Sequence, residues 1–524
     1  MAEAYATCVE QPACRIYWAL TASQNLLAMG ANAGNAFAEA LTPLQKFYMR
    51  IDEQFRTWWT QCKGRPPIPK NYVLPVKNAL QGHPESPRLW ENHIHRTLVQ
   101  ELHFTATTHE KYLYSRSDPH TSALQFLLRQ VDDFSVSATD RTACTTIISE
   151  IGRHLKAPLN DLGIIKKFNG TNVLQTRWYI TVSCEDYIVK ILKSHAWLTL
   201  SASNQPLPMR SDSKCQCQLE MADRPADALQ QKTIQDQAGF SFRMAIGELI
   251  YALVIARPEI STATTKLSQY NSNPATIHYQ ALKAIFAFPN NTREDGLIFW
   301  RTQPRQDLPD VKLPIPYSTM HNALTPLPSY PTRLVGYTDS DWGSDFSHRR
   351  SVSGMILMLS GAAIIYKTKY ERAVALSSTE AEFVSAADAG KMVLYVRSIL
   401  TDLGLTPDEP TDLHVDSSGA IFMINAQAPT KRTRHVDIRF FALLQWSESQ
   451  QIAAIPIRTD QNISDSMTKC TGRIKFRQNA DMYMGRIPPT CVTNAHPALA
   501  PFSIHALHAT TDQSVDALTQ YTPE

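Results

Sequence analysis

Apolar and polar residues divide the chain into segments with different periodicities. Residues 30–200 alternate short apolar runs with turn residues, a pattern that predicts mixed helices and strands. Residues 236–290 are helical in pattern, and "FRMAIGELIYALVIARPEI" predicts a buried helix that ends near Pro258. The mixed pattern returns from 333 to about 470, as strand, hairpin, long helix, strand, helix, strand and helix. Two α/β units joined by a helical segment are therefore expected.

Polar and proline-rich stretches separate these segments. Residues 202–218 are polar and predict a linker or loop. Seven prolines lie between 303 and 331, a composition typical of a domain linker. After Cys470 the periodicity fades, and we expect residues 471–524 to form a poorly ordered tail.

Composition places the chain among globular proteins, with 524 residues of which 43% are hydrophobic and 19% charged. A net charge of +3 is no nucleic-acid signature by itself, although a basic groove is compatible with it. No apolar run reaches 18 residues and the N-terminus lacks a signal-peptide pattern, so no membrane span is expected. Nine scattered cysteines without zinc-site spacing indicate reduced thiols and a cytoplasmic or nuclear location.

Four acids in the second α/β unit follow strands or begin helices: Asp339, Glu382, Asp416 and Asp465. Each has a structural explanation, because Asp is a frequent N-cap and Glu completes capping boxes. As a set, they would converge at one edge of a sheet. Four carboxylates there can hold two divalent metals that activate water and stabilise the leaving oxygen of a phosphodiester. Oxygen ligands favour Mg²⁺, two ions per active site, with Mn²⁺ as an alternative.

The stretch "LLRQVDDFSV" places Asp132 and Asp133 side by side in an apolar run. One explanation is a hairpin turn, since turns favour Asp. The other is a hairpin that presents two carboxylates to a metal-bound nucleotide, as in polymerases. That second arrangement needs a third acid from another strand.

The second unit resembles the ribonuclease H domain of copia-type long-terminal-repeat retrotransposon polyproteins. The motifs, in family order, are "GYTDSDWGSDFSHRRSVSGMILMLSG", "VALSSTEAEFVSAADAGKMVLYVRSIL", "HVDSSGAIFMI", "TRHVDIRFF" and "NISDSMTK". The resemblance implies that Asp339, Glu382, Asp416 and Asp465 are catalytic metal ligands. Glu382 is preferred to Glu380 because the family's acid precedes an aromatic residue. His435 matches a family signature position and is a candidate substrate contact.

The first unit resembles the reverse transcriptase of the same family. "LQGHPESP" matches a segment beside template and nucleotide, which makes Gln81 and Gly82 candidate substrate contacts, and "QVDDF" matches the catalytic Tyr-x-Asp-Asp hairpin. In "ANAGNAFAEA", Asn32 stands where the family has its third acid. An amide binds hard cations more weakly than a carboxylate.

Two further departures concern the length and the connection of this unit. About 30 residues precede "ANAGNAF", fewer than the family's fingers need, and Pro289 falls where the family continues a helix and loop. We therefore expect a truncated palm with impaired polymerase activity.

The fold class expected is α/β (α+β), a truncated polymerase palm with a helical thumb or connection, followed by a ribonuclease H-like mixed β-sheet domain with flanking helices. The expected segments are a fingers remnant (1–29), palm (30–200), thumb or connection (201–302), proline-rich linker (303–332), ribonuclease H-like domain (333–470) and tail (471–524).

The function expected is that of a reverse transcriptase/ribonuclease H fragment whose partners are RNA–DNA hybrid, RNA template, DNA primer and other products of the polyprotein. A non-catalytic nucleic-acid-binding relic and a decaying gene product are the alternatives. Local basic residues either contact phosphate or are solvated surface charges; they are Arg349, Arg350, Lys367, Lys369, Lys431, Arg432 and Arg434.

Overall fold

A computed structural model describes residues 8–40, 48–156, 158–200, 207–311, 333–345, 348–425 and 437–488. It is a mixed structure of helices and sheets, which confirms the expected fold class. The described residues form two compact units: unit 1 comprises those within 1–10 and 27–165, and unit 2 comprises those within 11–26 and 166–524. The finer segment boundaries expected from the sequence stay predictions.

The described strands number seventeen. They are β1 (Leu27–Asn32), β2 (Tyr48–Arg50), β3 (Val73–Pro75), β4 (Thr105–Ala106), β5 (Leu113–Ser117), β6 (Leu124–Gln130), β7 (Asp133–Ala138), β8 (Asn160–Ile164), β9 (Lys167–Phe168), β10 (Thr171–Gln175), β11 (Tyr179–Ser183), β12 (Gly296–Trp300), β13 (Val335–Asp341), β14 (Val352–Leu359), β15 (Ala362–Tyr370), β16 (Thr411–Val415) and β17 (Ile452–Pro456).

Sixteen α-helices lie in the same described residues. They are α1 (Gln11–Ser23), α2 (Ala36–Glu39), α3 (Glu53–Gln61), α4 (Ser86–Arg96), α5 (Arg141–Arg153), α6 (Glu185–Ser194), α7 (Ser213–Glu220), α8 (Ala228–Ala238), α9 (Phe242–Ala256), α10 (Ser261–Ser268), α11 (Thr276–Asn291), α12 (Ser378–Asp402), α13 (Ser418–Asn425), α14 (Asp437–Glu448), α15 (Asp465–Thr468) and α16 (Arg473–Tyr483). A π-helical turn, Thr97–Glu101, continues α4, and a 3₁₀ turn, Pro258–Ile260, precedes α10.

Unit 1 is built on a six-stranded antiparallel sheet in the order β4-β5-β6-β7-β1-β8. Strand β1 lies between β7 and β8, and the register pairs Asn32 with Asp133. Strands β6 and β7 form a tight hairpin in which Gln130 pairs with Asp133. Val131 in the turn has φ +54°, the left-handed conformation that such two-residue turns require. This register brings the end of β1 beside the hairpin turn.

Unit 2 contains a four-stranded sheet (β12-β11-β10-β9) and a five-stranded sheet in the order β15-β14-β13-β16-β17. In the five-stranded sheet, β13, β14 and β15 are antiparallel, whereas β13, β16 and β17 are parallel. Every residue of β14 is buried. Since successive side chains of a strand point to opposite faces, both faces of the sheet are covered at β14.

Helix α1 belongs to unit 2, although unit 1 follows it in the sequence. The Arg15 guanidinium Nε donates to the Ile364 carbonyl oxygen of β15 at 2.7 Å. The Ser360 hydroxyl, beside the same strand, donates to the Ala19 carbonyl oxygen at 2.7 Å. Eleven of the thirteen residues in "QPACRIYWALTAS" are buried. The five-stranded sheet therefore packs against a helix from far upstream.

The helical segment largely follows the sequence pattern. Helix α9 ends at Ala256, two residues before Pro258, as expected. Helix α11 continues through Pro289 to Asn291, so this proline does not end the helix. No single helix among the described residues is long and apolar enough to cross a membrane, although the bent pair α8 and α9 passes that test by length and composition.

The expectation of poor order from residue 471 onward is wrong for residues 471–488. They contain α16, in which Phe476, Ala480 and Tyr483 recur at helical spacing and are buried. The polar residues between them conceal this stripe in the sequence. Residues 489–524 and the proline-rich stretch 312–332 lie outside the described residues.

Candidate active site

Three of the predicted acids meet at one edge of the five-stranded sheet. Asp339 lies near the end of β13, and Asp416 follows the last residue of β16. Because β13 and β16 are parallel neighbours, residues at their carboxyl ends lie close together. Glu382 lies on α12, which packs against β13. Carboxylate oxygens of Asp339, Glu382 and Asp416 all lie within 4.8 Å of one another.

The cluster is buried. Asp339 is 2% exposed and Glu382 9% exposed, while Asp416 is half-buried. The backbone N–H of Ser340 donates to Glu382 Oε1 at 3.2 Å. Glu382 Oε2 has no hydrogen-bond partner within the part of the chain that the structure describes. A buried carboxylate oxygen without a partner is costly unless a cation satisfies it.

The capping explanation applies to Glu380 and not to Glu382. The Ser377 hydroxyl caps α12 by accepting from the Glu380 N–H at 3.2 Å. The Glu380 side chain in turn accepts from the Leu376 N–H at 2.7 Å. Glu380 therefore belongs to the helix start, whereas Glu382 turns inward to the other acids.

Asp339 is fixed from both its backbone and its side chain. The Ser385 hydroxyl of α12 donates to the Asp339 carbonyl oxygen at 2.8 Å and contacts the Thr338 hydroxyl at 2.7 Å. The Thr468 hydroxyl donates to Asp339 Oδ2. These contacts hold the carboxylate before any ligand binds, which is the arrangement that metal sites require.

Asp465 lies at the start of α15, outside the three-acid cluster. Its Oδ1 pairs with Lys469 Nζ at 2.8 Å, and its Oδ2 pairs with Lys475 Nζ. Lys469 Nζ also lies 3.6 Å from Asp339 Oδ2. Sequence reasoning missed both lysines; the spacing of four residues between Asp465 and Lys469 is the signal that predicts the first pair.

Gly354 allows α15 to approach the sheet this closely. It pairs with Asp339 in the register of β13 and β14. A Cβ atom at Gly354 would lie 2.7 Å from Met467 Cβ and 2.7 Å from Thr468 Cγ2. The missing side chain therefore lets Thr468 reach Asp339.

The electrostatics of the cluster disfavour three ionised carboxylates in the absence of a cation. Burial, with the charge of Asp339 as a second cause, raises the pKa of Glu382 to about 9. Burial also raises the pKa of Asp339 to about 7, against the opposing influence of Lys469. The pKa of Asp416 is raised by burial and by the nearby charge of Asp465. A divalent cation would reverse this balance by favouring the ionised forms.

Without divalent metal, the protein is expected to lose stability as the pH rises from about 4 to about 9. The folded cluster keeps protons that the unfolded chain releases near pH 4, so the folded state binds more protons and unfolding becomes easier as pH rises. Thermal unfolding in a chelator at pH 5 and pH 9 measures the loss, with a Tm shift of about 1 °C for each kcal/mol in a chain of this size. Glu382→Gln keeps an acceptor for the Ser340 N–H and should weaken the dependence of thermal stability on pH. A variant whose stability falls with pH as steeply as that of the parent would contradict the role given to Glu382.

In unit 1, Asn32 lies between the two aspartates of the hairpin. Its Nδ2 donates to Asp133 Oδ1 at 2.8 Å and to Asp132 Oδ2 at 3.4 Å. All three residues are half-buried. The amide group thus satisfies both carboxylates without a cation, a contact that a third carboxylate in the same place would not make.

Helix α4 supports this hairpin. Trp90 Nε1 donates to the Val131 carbonyl oxygen at 2.7 Å. Arg129 is fully buried and pairs with Glu91 Oε2 at 2.6 Å. The candidate substrate contacts Gln81 and Gly82 lie in the exposed loop before α4, and Gly82 has φ +91°. The two aspartates, by contrast, lie on a well-held turn.

The remaining sequence candidates divide into three groups. Lys369 is paired with Asp388 at 2.7 Å and with Glu371 at 3.4 Å. Arg349, Arg350 and Lys367 are exposed. His435, Lys431, Arg432 and Arg434 lie outside the described residues.

The residues present fit one divalent cation better than two. Asp339, Glu382 and Asp416 offer convergent oxygens, one of which lacks a hydrogen bond within the described residues. This is the oxygen-only donor set that Mg²⁺ and Mn²⁺ prefer. Asp465 is instead ion-paired with two lysine ammonium groups, although its Oδ1 also lacks a hydrogen bond within the described residues, and the Asp132–Asp133 pair accepts from the Asn32 amide.

Comparison with known proteins identifies similar sequences. The family model for reverse transcriptase (RNA-dependent DNA polymerase) matches residues 61–209. The retrovirus-related Pol polyprotein from transposon TNT 1-94 of Nicotiana tabacum is 25% identical over 484 residues, covering 90% of this chain and 32% of the relative. The corresponding polyprotein from transposon RE1 of Arabidopsis thaliana is 24% identical over 430 residues, 82% of this chain and 26% of the relative.

A shorter relative matches part of the chain at higher identity. The secreted RxLR effector protein 161 of Plasmopara viticola is 32% identical over 152 residues, covering 29% of this chain and 88% of the effector. Against the two polyproteins, the chain spans only about a quarter to a third of their length.

Proposed function

We propose that this chain, which belongs to the reverse-transcriptase region of copia-type retrotransposon polyproteins, hydrolyses the RNA strand of RNA–DNA hybrids at the Asp339–Glu382–Asp416 cluster. The observation that carries the proposal is the convergence of three buried carboxylates within 4.8 Å, with Glu382 Oε2 left without a hydrogen-bond partner in the described residues. Buried like charges are destabilising, so a protein that keeps them is expected to use them.

Each residue of the cluster has a role in this proposal. Mg²⁺ or Mn²⁺, when bound by the carboxylates, would supply Lewis-acid chemistry to a water molecule and to the phosphodiester. Thr468 and Ser385 orient Asp339, and the Ser340 N–H orients Glu382. Burial of Asp339 and Glu382 keeps bulk water from the carboxylates and strengthens their electrostatic interactions.

Sequence reasoning assigns Asp465 to a second metal, and two-metal hydrolysis stays a prediction for the substrate-bound state. The hybrid would be held through its phosphate backbone and the 2′ hydroxyls of its RNA strand. The exposed residues Arg349, Arg350 and Lys367 are available for phosphate contacts. The products would be RNA pieces with a 3′ hydroxyl and a 5′ phosphate.

The test is cleavage of an end-labelled RNA annealed to DNA. The full chain in Mg²⁺ or Mn²⁺ should shorten the RNA strand of the hybrid, and a chelator should stop the reaction. The same RNA without its DNA strand should stay intact. A folded chain that binds the hybrid in a salt-sensitive manner without cutting it would contradict the proposal and favour a non-catalytic nucleic-acid-binding protein.

For the hairpin of unit 1, we propose impaired polymerase activity. The Asn32 amide donates to one carboxylate oxygen of Asp133 and to one of Asp132, and it brings no negative charge to a metal. Primer extension on an RNA template with Mg²⁺ or Mn²⁺ should therefore give no product. Efficient synthesis by the unaltered chain would overturn this part of the proposal.

Asn32→Asp is expected to create a cation site at this hairpin. The change removes the donor and adds a third negative charge, so unit 1 should lose stability in a chelator and regain it with Mn²⁺. Thermal unfolding with and without Mn²⁺ measures the difference. Asn35→Asp adds the same charge at an exposed position three residues away and is the matched control. Equal Mn²⁺ responses of the two variants would contradict the prediction.

A further inference from the structure

Two lysine side chains form ion pairs with Asp465, one at each carboxylate oxygen. Lys469 Nζ lies 2.8 Å from Asp465 Oδ1 and 3.6 Å from Asp339 Oδ2, so it bridges the two carboxylates. Lys475 Nζ, on α16, pairs with Asp465 Oδ2 and donates to the Thr459 carbonyl oxygen at 2.7 Å. A cation shared by Asp339 and Asp465 would have to enter where the Lys469 ammonium lies.

The net charge of the site also favours one divalent cation over two. Four carboxylates and two ammonium groups leave two negative charges when all are ionised, and a single divalent cation balances them. A second divalent cation would lie within a few ångströms of the Lys469 ammonium, and like charges at that distance in a buried site repel strongly. Asp465 is fully buried, which weakens screening by solvent.

We propose that Lys469 stands in for a second divalent cation between Asp339 and Asp465, so that the chain without nucleic acid binds one cation, at Asp339, Glu382 and Asp416. The inference rests on the proposed function. The Lys469 side chain is 39% exposed, and it leaves the pair by rotating toward solvent. The second cation therefore enters only as Lys469 withdraws, with the phosphate of a bound hybrid as its further ligand.

The experiment counts bound Mn²⁺ on the full chain by electron paramagnetic resonance and by calorimetric titration, in the absence of nucleic acid. Asp132→Asn and Asp133→Asn are present throughout, so that the hairpin of unit 1 contributes no site. The chain should bind one Mn²⁺ at the cluster. Lys469→Met should add a second site or tighten binding about tenfold or more. Lys391→Met, which removes a lysine paired at 3.3 Å with Asp388 away from the cluster, should behave as the parent.

Asp465→Asn provides a second measurement that does not depend on the folding of the Lys469 variant. Since Asp465 lies outside the cluster, this variant should still bind one Mn²⁺. Loss of that single Mn²⁺ site in the Asp465→Asn protein would make Asp465 a ligand of the ion and overturn the inference. Two Mn²⁺ ions on the parent chain would overturn the inference alone, whereas no bound Mn²⁺ would overturn the proposed function as well.

Discussion

Asp416→Asn should reduce the rate of hybrid cleavage by about 10³-fold or more. The change replaces a charged ligand of the cluster by a neutral amide, and a loss of about 4 kcal/mol of transition-state stabilisation corresponds to a factor of 10³. Asp416 is the least buried of the three acids, so the variant should keep its fold. Removing one of several repelling carboxylates should even raise the stability of the metal-free protein.

Initial rates on a labelled hybrid measure this effect, with circular dichroism as the check on folding. Asp412→Asn is the matched control, because Asp412 lies on β16, the strand that Asp416 follows, and pairs with Arg333 at 3.0 Å, outside the cluster. The control should retain at least about a third of the parent rate, as expected for a partly exposed ion pair. An Asp416→Asn protein that cleaves as fast as the control would remove Asp416 from the site.

Arg257→Met should destabilise unit 2 by about 3–5 kcal/mol, the cost of leaving a buried charge without its partner. Arg257 Nε pairs with Glu259, and both side chains are completely buried. Arg257 Nη2 also donates to the Thr292 hydroxyl at 2.5 Å, which joins the end of α9 to the end of α11. Burial raises the pKa of Glu259, while the charge of Arg257 opposes that rise, so the pair is mutually dependent.

Urea unfolding followed by circular dichroism measures the loss. The double variant Arg257→Met, Glu259→Gln should recover a large part of it, because the stranded charge is gone. Arg458→Met removes an arginine from an exposed pair with Asp460 at 3.0 Å and should cost less than about 1 kcal/mol. A similar midpoint for Arg257→Met and Arg458→Met would contradict the prediction.

Local patterns in the sequence place Asp339 and Asp416 at strand ends, whereas their assignment as metal ligands comes from the family resemblance and stays a prediction. Asp339 and Asp416 come directly from strands whose order the hydrophobic alternation indicates, and parallel strands bring their carboxyl ends together. The adjacent Asp132 and Asp133 likewise follow from the hairpin pattern. For Asn32, the sequence predicted a weakened metal site, but only the register of β1 on β7 places its amide nitrogen against both carboxylates.

Other features depend on contacts between distant segments, which periodicity does not encode. Lys475 lies on α16, a helix whose buried stripe is masked by polar neighbours, and it reaches back ten residues to Asp465. The position of α15, which begins at Asp465, depends on Gly354 of β14. Helix α1 carries little amphipathic pattern because nearly all its positions are covered.

The place of α1 in unit 2 has a consequence for how the chain folds during synthesis. Ser360, which bonds to Ala19 of this helix, follows it by 341 residues. At a translation rate of about 5–20 residues per second, the helix leaves the ribosome roughly 17–70 s before its sheet exists. During that interval the apolar residues of α1 have no sheet to pack against, and a fragment that begins at residue 166 would lack the helix that packs against β15.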